Sequence, residues 1–176
     1  MKVLGIGHPS YRVSDREKAI EFYRDVLGLK VKFTIGYDEF YEFQKEKMEE
    51  QGPLSDEAKA TLEELKAQGD KVWITYIDTG DGSFIELFSD EGITEKYNWS
   101  LSQFDHIGYL HLSLEVDDIF STYEEMKKHG VKIKNSPTLG IENAWQFWIE
   151  DPDGNSIEFM QYEENAWQKV GHNPDR

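Results

Sequence analysis

The sequence predicts an α+β fold made of two tandem modules, each ordered as strand, helix and three further strands. Three observations carry that prediction. The stretch WQFWIEDPDGNSIEFMQ, Trp145 to Gln161, has the form of a β-hairpin. An aromatic strand leads into a turn at Asp151-Pro152-Asp153-Gly154, with Pro at its second position and Gly near its end. An earlier stretch, WITYIDTGDGSFIELF, repeats that hairpin at an offset of 72. Trp73 falls on Trp145, Ile77 on Ile149, Asp81 on Asp153, Gly82 on Gly154, Ile85 on Ile157 and Glu86 on Glu158. The opening strands also match, at an offset of 103, which puts His8 on His111 and Val13 on Val116. Self-similarity of this kind points to one unit built twice. The offset differs by about 31 residues between the two ends of the module, so the first copy carries an insertion of about that length.

The elements follow in order. Val3 to Val13 reads as a strand, with Ser10 and Arg12 on the face of His8 because strand side chains alternate. Ser14 to Glu17 fits a capping box, Ser at the cap and Glu three residues on. Ala19, Ile20, Phe22, Tyr23, Val26 and Leu27 continue at helical spacing until Gly28 stops the helix. Leu29 to Ile35 reads as a strand. Residues 37–70 are rich in Glu and Lys, with helical runs on either side of Gly52-Pro53, Ser55 as a cap and Gly69 as a stop. This is the charged insertion. The first hairpin covers Lys71 to Ser89, and a linker from Asp90 to Asp105 follows.

The second module opens at His106. From Tyr109 to Val116 the pattern alternates: Leu110, Leu112, Leu114 and Val116 face a covering helix, and Tyr109, His111, Ser113 and Glu115 face the other way. Asp117 is the expected cap of a helix ending near His129 and Gly130. Val131 to Lys134 reads as a strand, and the second hairpin ends near Tyr162. The domain boundaries are therefore 1–100, with the insertion at 37–70, then 101–163, then a tail at 164–176 read as a surface extension.

Composition excludes several classes of function. The chain of 176 residues has no cysteine, so thiol nucleophiles, disulfides and thiolate metal sites are ruled out. Any metal must sit on nitrogen and oxygen ligands. A net charge of −16 argues against a nucleic-acid partner and against anionic membrane surfaces. No apolar run nears the ~20 residues of a membrane helix. No basic-then-apolar leader is present, which makes a cytoplasmic location the expectation.

Two residues are chemically out of place. Glu86 and Glu158 each sit in mid-strand between apolar neighbours, where carboxylates are depleted and an unpaired charge is costly. Each module thus supplies one His from its first strand and one Glu from its last: His8, Glu86, His111 and Glu158. If those strands are neighbours in one curved sheet, the four converge on its inner face. Two imidazoles and two carboxylates suit a borderline divalent ion such as Zn, Ni, Co, Mn or Fe. Four ligands around an octahedral ion leave two positions open for two neighbouring substrate oxygens. His106, His129 and His172 lack such matching and are read as structural.

With these residues assembled, the chain resembles the vicinal oxygen chelate superfamily, glyoxalase I in particular. HPSYRVSDREKAIEFYRDVLGLKV looks like that family's opening strand and helix. FIELF and YLHLSLEVDDI look like its two ligand strands, and IEDPDGNSIEFMQY like its closing hairpin. The resemblance implies paired βαβββ modules forming a curved, mixed-sheet cup around one divalent ion, Zn, Ni, Co or Mn. It implies His8, Glu86, His111 and Glu158 as ligands. Glu158, or else Glu86, is the implied proton shuttle. The metal would polarise two vicinal oxygens and a carboxylate would carry the proton between adjacent carbons of an enediolate. Arg12 would hold a substrate carboxylate, with Ser10, Trp145 and Phe147 as further substrate contacts. A homodimer is also implied.

One position departs from the glyoxalase pattern. Asp90 stands where that family has a neutral amide, which disfavours glutathione. Two alternatives share the fold: an extradiol-type dioxygenase with Fe(II), which needs three open positions rather than two, and a metal-free, drug-sequestering binder built on aromatics such as Trp73, Trp145, Phe147 and Trp148.

Overall fold

A computed structural model of the chain describes residues 5–80, 82–89 and 108–172. The expected linker, with Asp90, Tyr97, Trp99 and Phe104, lies outside the described residues, as do Asp81 and His106. The chain divides into two compact units, Met1–Thr94 and Glu95–Arg176. Each holds one four-stranded mixed sheet with helices, so the fold is α+β.

The first unit contains β1 (Ser10–Val13), α1 (Arg16–Ile20), β2 (Lys30–Gly36), α2 (Tyr37–Glu50), α3 (Asp56–Ala67), β3 (Val72–Asp78) and β4 (Phe84–Ser89). The sheet order is β1-β4-β3-β2, with β1 parallel to β4 and the other pairs antiparallel. β1 is shorter than expected. Pro9 has no N–H to donate to a ladder, yet the chain before it still accepts bonds from β4, Phe84 N–H to Gly7 O at 3.0 Å and Glu86 N–H to Pro9 O at 3.0 Å. The cap of α1 is Asp15 rather than Ser14, its carboxylate accepting from Lys18 N–H at 3.1 Å. α1 widens into a π-helical stretch, Glu21–Val26, in which Leu27 N–H reaches back to Phe22 O at 3.0 Å. Gly28, at φ 71, ends it. Phe22 and Tyr23 are both buried there, with Ile77, Ile85 and Leu87 of the sheet also in the core.

The helical runs of the charged segment form as expected. Ser55 caps α3 by accepting from Ala58 N–H at 3.1 Å, and Gly69 sits at φ 66 just past its end. α3 buries Leu62, whereas α2 buries no residue fully and instead lays Phe40 against Trp73 with ring centroids 4.1 Å apart.

The second unit contains β5 (Leu112–Glu115), α4 (Ile119–Lys128), β6 (Thr138–Leu139), β7 (Ala144–Glu150), β8 (Ser156–Tyr162) and α5 (Trp167–Val170). Its order, β5-β8-β7-β6, repeats the first, with β5 parallel to β8. The cap of α4 is Asp118, one residue beyond the expected Asp117, accepting from Phe120 N–H at 3.1 Å and Ser121 N–H at 3.0 Å. The expected strand at Val131 to Lys134 is reduced to a bridge, Ile133 to Ile149. Its edge is interrupted because the Asn135 side chain takes the bond from Trp148 N–H at 3.0 Å, after which Pro137 intervenes and pairing resumes at β6. The core gathers Ile119, Met126, Phe147, Ile149, Ile157 and Phe159. The tail is more than a surface extension: Ala166 is fully buried and Trp167 N–H donates to Glu142 O at 2.9 Å.

The turns repeat down to their bonds. Thr79 N–H donates to Ser83 O at 3.2 Å, and its counterpart Asp151 N–H donates to Asn155 O at 3.0 Å. Gly82 and Gly154 both take positive φ, 89 and 86, which a Cβ would oppose.

Candidate functional site

The two carboxylates out of place in the sequence are placed by strand register. In the first unit Glu86 pairs with Ser10 on one side and with Tyr76 on the other. In the second, Glu158 pairs with Ser113 and with Trp148. Residues paired across strands share a face. Each sheet therefore presents a Glu flanked by a Ser and an aromatic, on the face opposite its packed core, with the His one turn of the pleat before the Ser.

The imidazoles approach the carboxylates within each unit. His8 Nε2 lies 3.6 Å from Glu86 Oε2, and His111 Nε2 lies 3.4 Å from Glu158 Oε2. Both separations exceed an ordinary hydrogen bond. Glu86 and Glu158 are 7% and 6% exposed, so each carboxylate is almost fully withdrawn from water. Among the described residues, His111 Nδ1 is a buried side-chain nitrogen with no hydrogen-bond partner. The His111 side chain is 30% exposed, and a buried polar atom such as this Nδ1 ordinarily has a partner. Among the described residues, no group of three or more His, Asp or Glu side chains that could hold a metal ion is gathered at one point.

The electrostatics of the two imidazole–carboxylate pairs differ. Burial pushes the Glu158 carboxyl upward, with Glu142 adding to the rise and a hydrogen bond from Ser113 opposing it. Burial holds the His111 imidazole below its ordinary value. In the first unit the Tyr76 hydroxyl donates to Glu86 Oε1, and Ser10 Oγ donates to Glu86 Oε2 at 2.5 Å. The bond to Glu86, then burial, pushes the Tyr76 phenol up to about 12. Around Tyr76 stands an aromatic wall, Phe33 stacked on it at 4.3 Å and Phe84 edge-on at 6.1 Å. In the second unit the aromatic beside the carboxylate is Trp148, edge-on to His111 at 4.6 Å.

The expected substrate contacts divide. Arg12 is exposed on the face of His8 and Glu86. The Ser10 hydroxyl is engaged by Glu86. Trp145 and Phe147 lie on the other face of their sheet. Phe147 is fully buried against Tyr123 and Phe159, and Trp145 packs edge-on against Phe120 of α4 at 5.0 Å. Both are removed from the set of substrate contacts, because alternation along β7 turns odd-numbered positions toward α4. Trp148 is the aromatic that shares the face of Glu158. Tyr76 and Glu142 were not anticipated beside the carboxylates, Ser113 was expected only on the face of His111, and Trp148 only as part of a metal-free aromatic cavity. The offset of 72 carries Tyr76 onto Trp148, so the repeat already held the signal that both stand beside a strand carboxylate.

Comparison with known proteins accords with this geometry. The family model described as the Glyoxalase/Bleomycin resistance protein/Dioxygenase superfamily matches residues 5–159. A lactoylglutathione lyase of Haemophilus influenzae is 29% identical over 157 residues, 88% of this chain and 90% of that protein. One from Escherichia coli O157:H7 is 26% identical over 168 residues, 94% of this chain and 97% of that protein. Among solved structures, the trypanothione-dependent glyoxalase I of Leishmania major superimposes with a TM-score of 0.60 at 20% identity, covering 96% of this chain and 93% of that one. A glyoxalase/dioxygenase from Nostoc punctiforme gives 0.60 at 21% identity, covering 92% of each chain. With the repeated strand order, the matched carboxylates and a family model spanning nearly the whole length, this chain belongs to the glyoxalase/bleomycin resistance protein/dioxygenase superfamily.

Proposed function

We propose that the protein is a metal-dependent, glyoxalase I-like lyase, moving a proton between adjacent carbons of a small substrate with two vicinal oxygens. The substrate class is a 2-oxoaldehyde–thiol hemithioacetal or a hydroxycarbonyl. The observation that carries this reading is the duplicated imidazole–carboxylate contact, His8 with Glu86 and His111 with Glu158, in which each carboxylate is withdrawn from water. The donor set fits a divalent ion. Imidazole nitrogens and carboxylate oxygens are the donor types such an ion takes, and a desolvated carboxylate would gain from a cationic partner. His8, Glu86, His111 and Glu158 are the proposed ligands of one Zn, Ni, Co or Mn.

The bound ion would supply Lewis-acid polarisation of the two neighbouring oxygens, which acidifies the C–H between them. This chain's residues supply the rest. Glu158, whose carboxyl is raised by burial, takes the proton from one carbon and returns it to the next, as a base whose pKa has moved toward its working range. Arg12 would hold an anionic end of the substrate. Trp148 shields the second half from water. Glu142 beside Glu158 and the net charge of −16 favour a neutral or cationic thiol over an anionic one. We further propose a homodimer, which light scattering would register as twice the mass of 20.5 kDa.

The test is metal analysis of protein purified without added metal, followed by a screen over hemithioacetals and hydroxycarbonyl sugars. About one Zn, Ni, Co or Mn per chain with product formation supports the reading. Iron with oxygen uptake would point to ring cleavage instead. Glu158→Gln should then lose proton exchange at the substrate carbon, and full-rate exchange in that variant would remove Glu158 as base.

A further inference from the structure

The two imidazole–carboxylate pairs share their His, Ser and Glu and differ in the aromatic beside the carboxylate. Tyr76 and Trp148 occupy the same register beside their carboxylates, Tyr76 opposite Glu86 and Trp148 opposite Glu158. Only the first carries a phenol that donates to its carboxylate. Glu86 therefore accepts two hydroxyl bonds, one on each oxygen, from Tyr76 and from Ser10. Glu158 has the Ser113 hydroxyl beside it and, among the described residues, no phenol donor, while Trp148 is turned edge-on to His111. Tyr76 is itself held by Phe33, stacked on it at 18° between planes, and by His8, edge-on at 5.7 Å.

A carboxylate oxygen has two lone-pair directions, so one hydroxyl per oxygen leaves each able to take an ion. What the two bonds remove is rotation. A carboxylate pinned at both oxygens keeps one rotamer, and outer partners of this kind orient the ligand they touch. A carboxylate with one donor keeps the freedom to turn away.

We propose that Tyr76, with Ser10, is a positioning residue that makes the two repeat-related carboxylates unequal, fixing Glu86 as the permanent ligand and leaving Glu158 as the one free to swing. The inference rests on the metal-dependent reading above and assigns the two acids different duties within it. Tyr76 touches neither substrate nor ion in this scheme and acts through Glu86.

The experiment has two readouts, neither of which depends on turnover. The first is divalent-ion affinity, measured by competition against a chromophoric chelator with zinc as the probe. Tyr76→Phe should weaken zinc binding by about 10- to 100-fold, the usual cost of an outer-shell partner. Trp148→Phe, which removes no donor from a carboxylate, should change it less than about threefold by the same reasoning. A double swap, Tyr76→Phe with Trp148→Tyr, moves the phenol beside Glu158 and should recover affinity relative to Tyr76→Phe alone. A merely structural role for Tyr76 gives no such recovery. The second readout is the crystal structure of the metal-free protein. Glu86 should hold one rotamer in the parent and more than one in Tyr76→Phe. Equal zinc affinity in parent and Tyr76→Phe overturns the proposal, as does an unchanged single Glu86 rotamer. Failure of the parent to bind zinc, nickel, cobalt or manganese overturns the metal reading itself, and the rotamer comparison still decides whether Tyr76 pins Glu86.

Discussion

At the level of single residues, Glu158 is the side chain whose environment works against it. Its carboxyl is raised by burial and by Glu142, so the fold favours the protonated form. The sign follows from linkage. A group whose folded pKa is raised contributes stability that is complete below its unfolded value, about 4.3, and that is lost as pH rises through the folded value. In metal-free protein, ionised Glu158 is therefore a cost at neutral pH. Glutamine mimics the protonated acid. Metal-free Glu158→Gln should melt above the metal-free parent at pH 7, and the two curves should converge near pH 4. Thermal unfolding of chelator-treated protein across that window decides it; a parent more stable than the variant at pH 7 would mean the fold already satisfies the charge. His111 behaves oppositely, since burial lowers it: the neutral ring is favoured, and stability falls as pH drops through its unfolded value of about 6.5. These environments were half legible in the sequence. The carboxylates announced themselves by standing in apolar strands, and the repeat matched them to histidines. Which aromatic faces each carboxylate depends on cross-strand register, and register is not written in either strand alone. That is why Phe147, buried against Phe159, was grouped with the site and Tyr76 was not.

Secondary-structure elements were easier to read than their boundaries. The opening helix was marked by apolar spacing and the stop at Gly28, the helices of the charged segment by Gly52-Pro53, the Ser55 cap and the Gly69 stop, and each hairpin by its Asp-Gly turn. The caps slipped by one residue, from Ser14 to Asp15 and from Asp117 to Asp118. Adjacent cap-forming residues offer two nearly equal starts, and the choice falls to whichever leaves the apolar face against the sheet. For α4 that is decisive: starting after Asp118 buries Ile119 completely. Gln161 of β8 also accepts from Ile119 N–H at 2.8 Å, tying the start of the helix to the sheet. Asp118→Ala removes the acceptor for two backbone N–H groups and should cost about 1 kcal/mol, within the range for cap deletions. Asp117→Ala should cost less than about 0.5 kcal/mol, as an ordinary surface change does. Paired urea titrations of the two variants separate the assignments, and the reverse ranking would return the cap to Asp117. The edge strand after α4 was the least legible element. Val131 to Lys134 has the composition of a strand, but Asn135 substitutes its side chain for a backbone acceptor, a competition that local patterning does not reveal.

For the molecule as a whole, the proposed ligand set makes a prediction about additivity. Each unit supplies one His–Glu pair, and the reading requires both pairs on one ion. An ion that binds only the folded chain stabilises it by about 2.7 kcal/mol at a hundred times its Kd. For a chain of 176 residues that corresponds to a rise in Tm of roughly 5–11 °C. Glu86→Gln and Glu158→Gln should each abolish most of that rise, and the double variant should lose no more than either single one. Residues acting on one ligand are strongly non-additive, whereas independent sites add. Were each His–Glu pair to hold its own ion, each single variant would keep about half the bound metal and the losses would sum in the double. Titrating zinc against parent, single and double variants, with bound metal counted by elemental analysis, distinguishes one shared ion from two. One ion per chain lost entirely by either substitution is the outcome the proposed shared ligand set requires, because one His–Glu pair alone leaves a divalent ion short of the three or four protein donors that such sites use.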